Sequence, residues 1–384
     1  MRFLVLSVTA GNGHNAMGNA VIDCLKKYGH KTKLVDYLRP STKIRSRVAH
    51  EWYFWALKTF PHTIDKMYDN LLKRDPTKKS KINPLTYMTS SKKANKNLEK
   101  EISQFNPDFI YCTHIYTAYL VSEMKKAGKL KNIKTFFIVS DYELIPYIEY
   151  ATEIDYVLTP TTELHKKLID IGFNEEKLLP FGITVNTKFS THKDTKENTR
   201  LSLGLEPNTP TFLIMNGGVG FGDTLKLIKE FDKIEDQNFQ LIIVNGKNKK
   251  MHDKIDAYLQ ENSKLKCLNL GYSSNVDVLM DASDLLIGKI GGVAVAEAFN
   301  KGLPILVAGN APFQEWSNVL FLGEKNAIIY AKNEEETKEA LHDLLTNPEK
   351  FEIMKENVKK IAKPNATVDF ANFMNELYRK GGNY

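Results

Sequence analysis

DLLIGKIGGVAVAEAFNKGLPILVAGNAPFQEWSN, residues 284–318, is the stretch that decides the fold. Asp284-Leu285-Leu286-Ile287 is a short apolar run that reads as a buried strand. The loop Gly288-Lys289-Ile290-Gly291-Gly292 follows, and Val293 to Asn300 has helix-compatible spacing. Gly302 stops that helix, and Leu303 to Val307 resumes as a second strand. A strand, a glycine turn and a helix start form an anion site, because backbone N–H groups and the helix dipole point at the ligand. Glu297 lies one turn further in, on the face able to reach a ribose attached to that phosphate. The pattern fits a nucleoside diphosphate held without a metal, and also a plain glycine turn of any α/β protein.

Working outward, 384 residues point to two domains. Apolar residues at 42% and charged residues at 26% describe a globular protein. No apolar run approaches the roughly 20 residues of a membrane span. Met1-Arg2 runs directly into a strand, so no cleavable signal peptide is expected. Cys24, Cys112 and Cys267 are far apart and read as free thiols of a reducing cytoplasm. The net charge of +7 favours an anionic partner.

The first strand, Phe3 to Val8, ends in Thr9-Ala10-Gly11-Asn12-Gly13-His14-Asn15, and a helix to about Lys27 follows. Ligands bind at the carboxyl ends of parallel strands, where this loop must sit. It is not the dinucleotide fingerprint, because the third glycine, Gly18, comes too late, and Asp36 is only a weak acidic partner. A helix start should push His14 toward its neutral form, as suits a base; a loop-capping role is the alternative. Further strands are expected at 108–111 and 135–139, with a helix between them near 118–126. The polar stretch 190–199 reads as a structureless interdomain linker. Thr211 to Met215 then opens a second series, ending in Asn216-Gly217-Gly218-Val219-Gly220 as another candidate diphosphate loop.

Between Arg39 and Lys100 the chain carries fifteen Lys and Arg against five Asp and Glu. Trp52, Tyr53, Phe54 and Trp55 lie among them. Three readings stay open: an interfacial membrane contact, a solvated face over an aromatic core, and a nucleic-acid groove. No Asp-x-Asp, P-loop, clustered Cys/His or Gly-x-Ser-x-Gly occurs, so no metal or other cofactor is expected.

The residues Asp284 to Gly292, Glu297-Ala298, Gly302-Leu303-Pro304, Pro312-Phe313-Gln314-Glu315 and Asn318 resemble the donor-binding signature of one glycosyltransferase family. That family contains the processive diacylglycerol glucosyltransferases, the monogalactosyldiacylglycerol synthases and the peptidoglycan N-acetylglucosaminyltransferase. The resemblance implies the GT-B architecture, an α/β fold of two Rossmann-like parallel-sheet domains facing a central cleft. Domains are then expected at 1–189 and 190–364, with a helix over 365–384 crossing back to the first. It implies inverting, metal-independent transfer of a hexose from a UDP-sugar to diacylglycerol or a glycosyl-diacylglycerol, at the cytoplasmic face of the membrane. Gly11-Asn12-Gly13-His14 resembles the family's acceptor loop, with His14 as catalytic base. Ser140-Asp141-Tyr142 is similar to its Thr-Asp-Tyr and makes Asp141 a second catalytic candidate. The family's following His and Trp are replaced here by Glu143 to Tyr147, and the proline of its Gly-Ile-Pro-Val by Thr184. Donor contacts fall on Gly217, Gly218, Tyr272, Lys289, Gly291, Gly292, Val293, Glu297, Gln314, Glu315 and Asn318. Relatives contact uracil where Tyr272 stands; a core tyrosine fits that position equally. A lipid acceptor favours the membrane reading of Trp52, Phe54 and Trp55, with an anionic surface and no nucleic acid as partner. A UDP-sugar epimerase of the same fold, a polyprenyl-linked acceptor and a nucleic-acid-binding protein are the alternatives.

Overall fold

The computed structural model describes residues 1–9, 12–38, 74–77, 83–215, 224–235, 238–309 and 313–381, without the side chains of Phe313, Gln314 and Gly381. They form two compact units, Met1–Thr187 with Asn365–Tyr384, and Lys188–Pro364. The first unit contains β1 (Arg2–Ser7), α1 (Gly13–Lys27), β2 (Lys31–Asp36), α2 (Pro84–Met88), α3 (Lys92–Phe105) and β3 (Phe109–Cys112). It continues with α4 (Ile115–Lys126), β4 (Lys134–Ile138), β5 (Tyr156–Leu158), α5 (Glu163–Asp170) and β6 (Leu178–Leu179). The second opens with α6 (Lys196–Ser202), β7 (Thr211–Met215), α7 (Thr224–Phe231), β8 (Gln240–Val244), α8 (Lys249–Asn262) and β9 (Lys266–Leu270). After these come α9 (Val276–Asp281), β10 (Leu285–Gly288), α10 (Gly292–Asn300), β11 (Ile305–Ala308), α11 (Phe313–Glu324), β12 (Ile328–Ala331), α12 (Glu334–Thr346) and α13 (Pro348–Ile361). The last helix, α14 (Ala366–Gly381), belongs to the first unit. Phe370 on it packs 5.1 Å from Tyr111 and 5.2 Å from Phe136, and the Thr367 hydroxyl donates to the Val185 carbonyl.

Each unit is built on a six-stranded parallel sheet, ordered β2-β1-β3-β4-β5-β6 in the first and β12-β11-β10-β7-β8-β9 in the second. The central strands are apolar on both faces because helices cover both faces. Phe3 to Leu6 and Leu285 to Ile287 are buried accordingly. Strand order reverses between β1 and β3, and again between β7 and β10. The loops leaving those strands' carboxyl ends therefore sit at a switch point, where a parallel sheet leaves room for a ligand.

One device aligns the strands at both switch points. Asp108, just before β3, accepts from the Arg2 backbone N–H through its side chain and donates its own N–H to the Arg2 carbonyl. Asp284, just before β10, does the same with Thr211 at the start of β7. Asp284 is also paired with Lys196 and the buried Arg200.

The stretch 190–199 is not structureless. The Thr195 hydroxyl accepts from Asn198 N–H and starts α6 at Lys196. Upstream, the buried Lys301 ammonium bonds both the Thr191 carbonyl and the Asp281 carboxylate, which also meets His192 at 2.6 Å. Polarity there reflects capping and ion pairing. Among the described residues, no helix is long and apolar enough to cross a membrane.

Candidate functional site

At the first switch point β1 ends in Ser7 and α1 begins at Gly13, with Asn12 at the N-cap. The Ser7 hydroxyl donates to Asn15 Oδ1, the Asn15 amide donates to Thr9 Oγ1, and the Thr9 hydroxyl donates to Asp36 at the end of β2. The loop's start is thus tied to its own helix and to the neighbouring strand. Gly18 lets α1 lie close, since a Cβ there would meet Val5 Cγ1 at 2.6 Å.

His14 is the second residue of α1, and its Nδ1 lies 2.5 Å from the Thr113 carbonyl oxygen, just past β3. A carbonyl only accepts, so Nδ1 carries the proton and Nε2 keeps its lone pair. Burial lowers the His14 pKa, opposed by the Thr113 bond and the charge of Asp141. The main cause of its neutrality is therefore loss of water, where the sequence pointed to the helix start. Asp141 follows β4 and accepts from the Ser140 hydroxyl at 3.1 Å. Next to Thr113 stands His114, whose ring meets the His14 ring edge-on with centroids 4.7 Å apart. Burial, and then the charge of His14, hold the His114 pKa well below the ordinary value.

Of the residues after Asp141 that depart from the family pattern, Tyr147 faces a basic partner, Arg74, which also pairs with Glu149 just beyond them. Glu149 is buried and ion-paired to Arg74, whose guanidinium lies 5.0 Å from the Tyr147 ring centroid. Tyr147 itself takes a left-handed φ of 69°.

At the second switch point β10 ends at Gly288 and Gly291 is the N-cap of α10, a residue with no side chain of its own to cap the helix. Two residues of α11 hold the loop between them. Glu315 accepts from the Ile290 N–H at 3.3 Å, and the buried Asn318 amide donates to the Ile290 carbonyl at 3.1 Å. A Cβ on Gly291 would come within 3.3 Å of the Glu315 carboxylate, so the glycine accommodates that anchor. Lys289 is pushed down to about 8 by burial, against the attraction of Glu315. Glu297 is pushed up to about 7, chiefly by burial, with Lys188 lowering it and Asp277 raising it. Lys188 and Asp277 are themselves paired at 2.8 Å.

The structure gathers His14 and Asp141 at one switch point, with Asn12 and Gly13 opening α1. It gathers Lys289, Gly291, Gly292, Val293, Glu315 and Asn318 at the other, with Glu297 further along α10. Glu315 and Asn318 are turned to the loop backbone rather than simply outward. Tyr272 is 74% exposed, which removes the core reading. Gly11, Gly217, Gly218, Trp52, Phe54 and Trp55 lie outside the described residues, as does the Gln314 side chain. Sequence reasoning passed over His114, Lys188 and Asp277. A histidine two residues past a buried strand, at the start of a helix, is the signal that could have marked His114. Nothing local points to the Lys188–Asp277 pair.

Residues 14–185 match the family described as Monogalactosyldiacylglycerol (MGDG) synthase, and residues 211–376 match the Glycosyltransferase family 28 C-terminal domain. The chain is 29% identical to a processive diacylglycerol beta-glucosyltransferase of Bacillus pumilus over 372 residues, 94% of this chain and 91% of the relative. Among solved structures, MurG of Acinetobacter baumannii superposes with a TM-score of 0.62 at 15% identity, covering 98% of this chain and 99% of that one. A UDP-GlcNAc 2-epimerase from Neisseria meningitidis, bound to UDP-GlcNAc, reaches the same 0.62 at 16% identity, with coverage of 98% and 100%. These likenesses give the fold, a two-domain α/β GT-B architecture.

Proposed function

From a chain that belongs to the family of the diacylglycerol glucosyltransferases and monogalactosyldiacylglycerol synthases, we propose that the two switch points divide one displacement reaction. The protein is a UDP-sugar-dependent glycosyltransferase, and its reaction moves a hexose to the hydroxyl of diacylglycerol. His14 Nε2 takes the hydroxyl proton. The acceptor oxygen attacks the anomeric carbon from the face opposite UDP, the bond to the diphosphate breaks, and the anomeric centre inverts. The observation that carries this reading is the bond from His14 Nδ1–H to the Thr113 carbonyl, which leaves Nε2 as the proton acceptor. The imidazolium then formed keeps that bond and gains from the charge of Asp141.

The leaving diphosphate meets the start of α10 and Lys289, so its charge is offset without a metal. Glu297 accepts the ribose hydroxyls, and Gln314 and Glu315 hold the sugar. For Glu315 this means exchanging its bond to Ile290 N–H for sugar hydroxyls, or sharing it.

Membrane attachment belongs to the same proposal. The basic surplus between Arg39 and Lys100 supplies attraction to anionic lipid at the cytoplasmic face, about 1 kcal/mol for each charge near the surface. Replacing Trp52 and Trp55 by Ala should lower sedimentation with anionic vesicles even at low salt, where charge attraction is strongest. Binding that ignores anionic lipid would remove the segment from the membrane. The reaction itself is tested by giving the pure protein UDP-glucose or UDP-galactose with diacylglycerol vesicles, with and without EDTA, and weighing the products. One lipid heavier by a hexose, formed equally in EDTA, is the expected result. Release of UDP with an unchanged lipid, or epimerised donor, would overturn it.

A further inference from the structure

His114 has a ring that the reaction above does not use. It caps α4, and its Nδ1 accepts the Tyr116 backbone N–H at 3.1 Å. An N–H only donates, so Nδ1 of His114 is unprotonated and the ring's proton sits on Nε2. His14 is the reverse: its proton is on Nδ1, given to the carbonyl of the residue immediately before His114. A single backbone junction, 113–116, thus sets both tautomers. The Tyr116 ring also meets His114 edge-on, with centroids 4.4 Å apart, so the His114 ring contacts both His14 and Tyr116.

We propose that His114 is a positioning residue for His14, holding its ring edge-on and out of water so that an unprotonated Nε2 faces the acceptor. This rests on the reading of His14 as the base. Among the described residues, these groups bear on the pair. Thr113 and His114 come from the β3–α4 junction, Asp141 from beyond β4, and Tyr116 from α4. Asp141 is the anion acting on His14, and His14 is the group whose charge bears on His114. Two half-buried imidazoles in contact do not readily both hold an extra proton, because their repulsion is only partly screened. His14, with a carbonyl and a carboxylate to stabilise its cation, is the one that takes it. His114, whose Nδ1 faces an N–H, stays neutral and does not compete.

His114→Asn separates this role from simple capping, since asparagine is a good N-cap and still accepts from the Tyr116 N–H. The variant removes the ring and lets water reach His14. Histidine-selective ¹⁵N NMR titration of the full chain reads both tautomers directly, with His14→Ala and His114→Asn supplying the assignments. In the wild type, His114 should remain a neutral Nε2–H tautomer from pH 5 to 8, while His14 stays an Nδ1–H tautomer that protonates only below the ordinary midpoint. In His114→Asn the His14 midpoint should rise on the order of one unit. The kcat should fall between about tenfold and a hundredfold, as for a slightly misplaced base, with the acid limb of kcat/KM moving upward. The KM for UDP-sugar should hold. An unchanged His14 midpoint and turnover would reduce His114 to a helix cap. A wild-type His114 that titrates near 6.5 would overturn the proposal even if the variant failed to fold. Normal turnover in His14→Ala would instead defeat the base assignment, and the titrations would still judge the pairing of the rings.

Discussion

The two switch points share a topology and differ in what burial does for them. At the first, burial lowers His14 and so favours its unprotonated form, the one the proposed base would need. At the second, burial lowers Lys289 to about 8 and raises Glu297 to about 7, so it works against the charges that a UDP-sugar would meet. Physically, one site is finished by the fold and the other is held with its charges only partly compensated. A buried ion lacks the water that would stabilise it, and only an opposite charge or a hydrogen bond restores the loss. The diphosphate would supply the opposite charge for Lys289, and the ribose hydroxyls would supply the bonds for Glu297.

The largest expected effect strikes the finished side. His14→Ala should lower kcat by about 10²–10⁴ while leaving UDP affinity, read by calorimetry, near wild type. Normal turnover would break the comparison at its stronger end. On the other side, Glu297→Ala should weaken UDP-sugar affinity by roughly tenfold to a hundredfold, because losing a hydrogen bond to a charged group costs about 1.5–3 kcal/mol. A folded variant with unchanged affinity would remove Glu297 from the donor.

A pH series sharpens the contrast with a smaller effect. Glu297 accepts fully only above about 7, and Lys289 is a full cation only below about 8. UDP-sugar affinity should therefore be bell-shaped, falling on the acid side as Glu297 protonates and on the alkaline side as Lys289 loses its charge. The diphosphate of a UDP-sugar is doubly esterified and does not itself titrate near neutrality. Glu297→Gln should erase the acid limb and Lys289→Met the alkaline one; a flat wild-type profile would contradict both assignments.

The smallest effect concerns stability. Glu297 holds its proton more tightly folded than unfolded, so its contribution is fully present below the unfolded value and lost as pH rises through about 7. Glu297→Gln cannot ionise and avoids that loss. It should match or exceed the wild type in thermal stability at pH 8, by something on the order of 1–2 kcal/mol, and lose the advantage near pH 4. A variant less stable at pH 8 than at pH 4, relative to wild type, would mean that Glu297 is well solvated or firmly paired.

Strands, glycine loops and helix starts are written in consecutive residues, and they were legible for that reason. Leu285 to Gly288 form β10, and α10 begins at Gly292, one residue before the expected start. The stretch 190–199 was misread because polar residues that cap and pair look like polar residues of a loop. Tyr272 was left between core and surface because an aromatic after a strand fits both, and only its 74% exposure decides.

What the sequence by itself determined is the order of elements, the two glycine-rich turns and the residue types waiting at them, since these depend on contacts within a few residues. What only the tertiary structure decided is who meets whom. Thr113 and His114 reach His14 across about a hundred residues because β1 pairs with β3 and not with the strand that follows it alone. Lys188 and Asp277 come to bear on Glu297, and Glu315 and Asn318 seize the loop at Ile290, by the same kind of long-range closure. Tautomer and charge state follow from those neighbours and from lost water. No local pattern encodes them, because a side chain's proton answers to the field around it and not to its place in the chain.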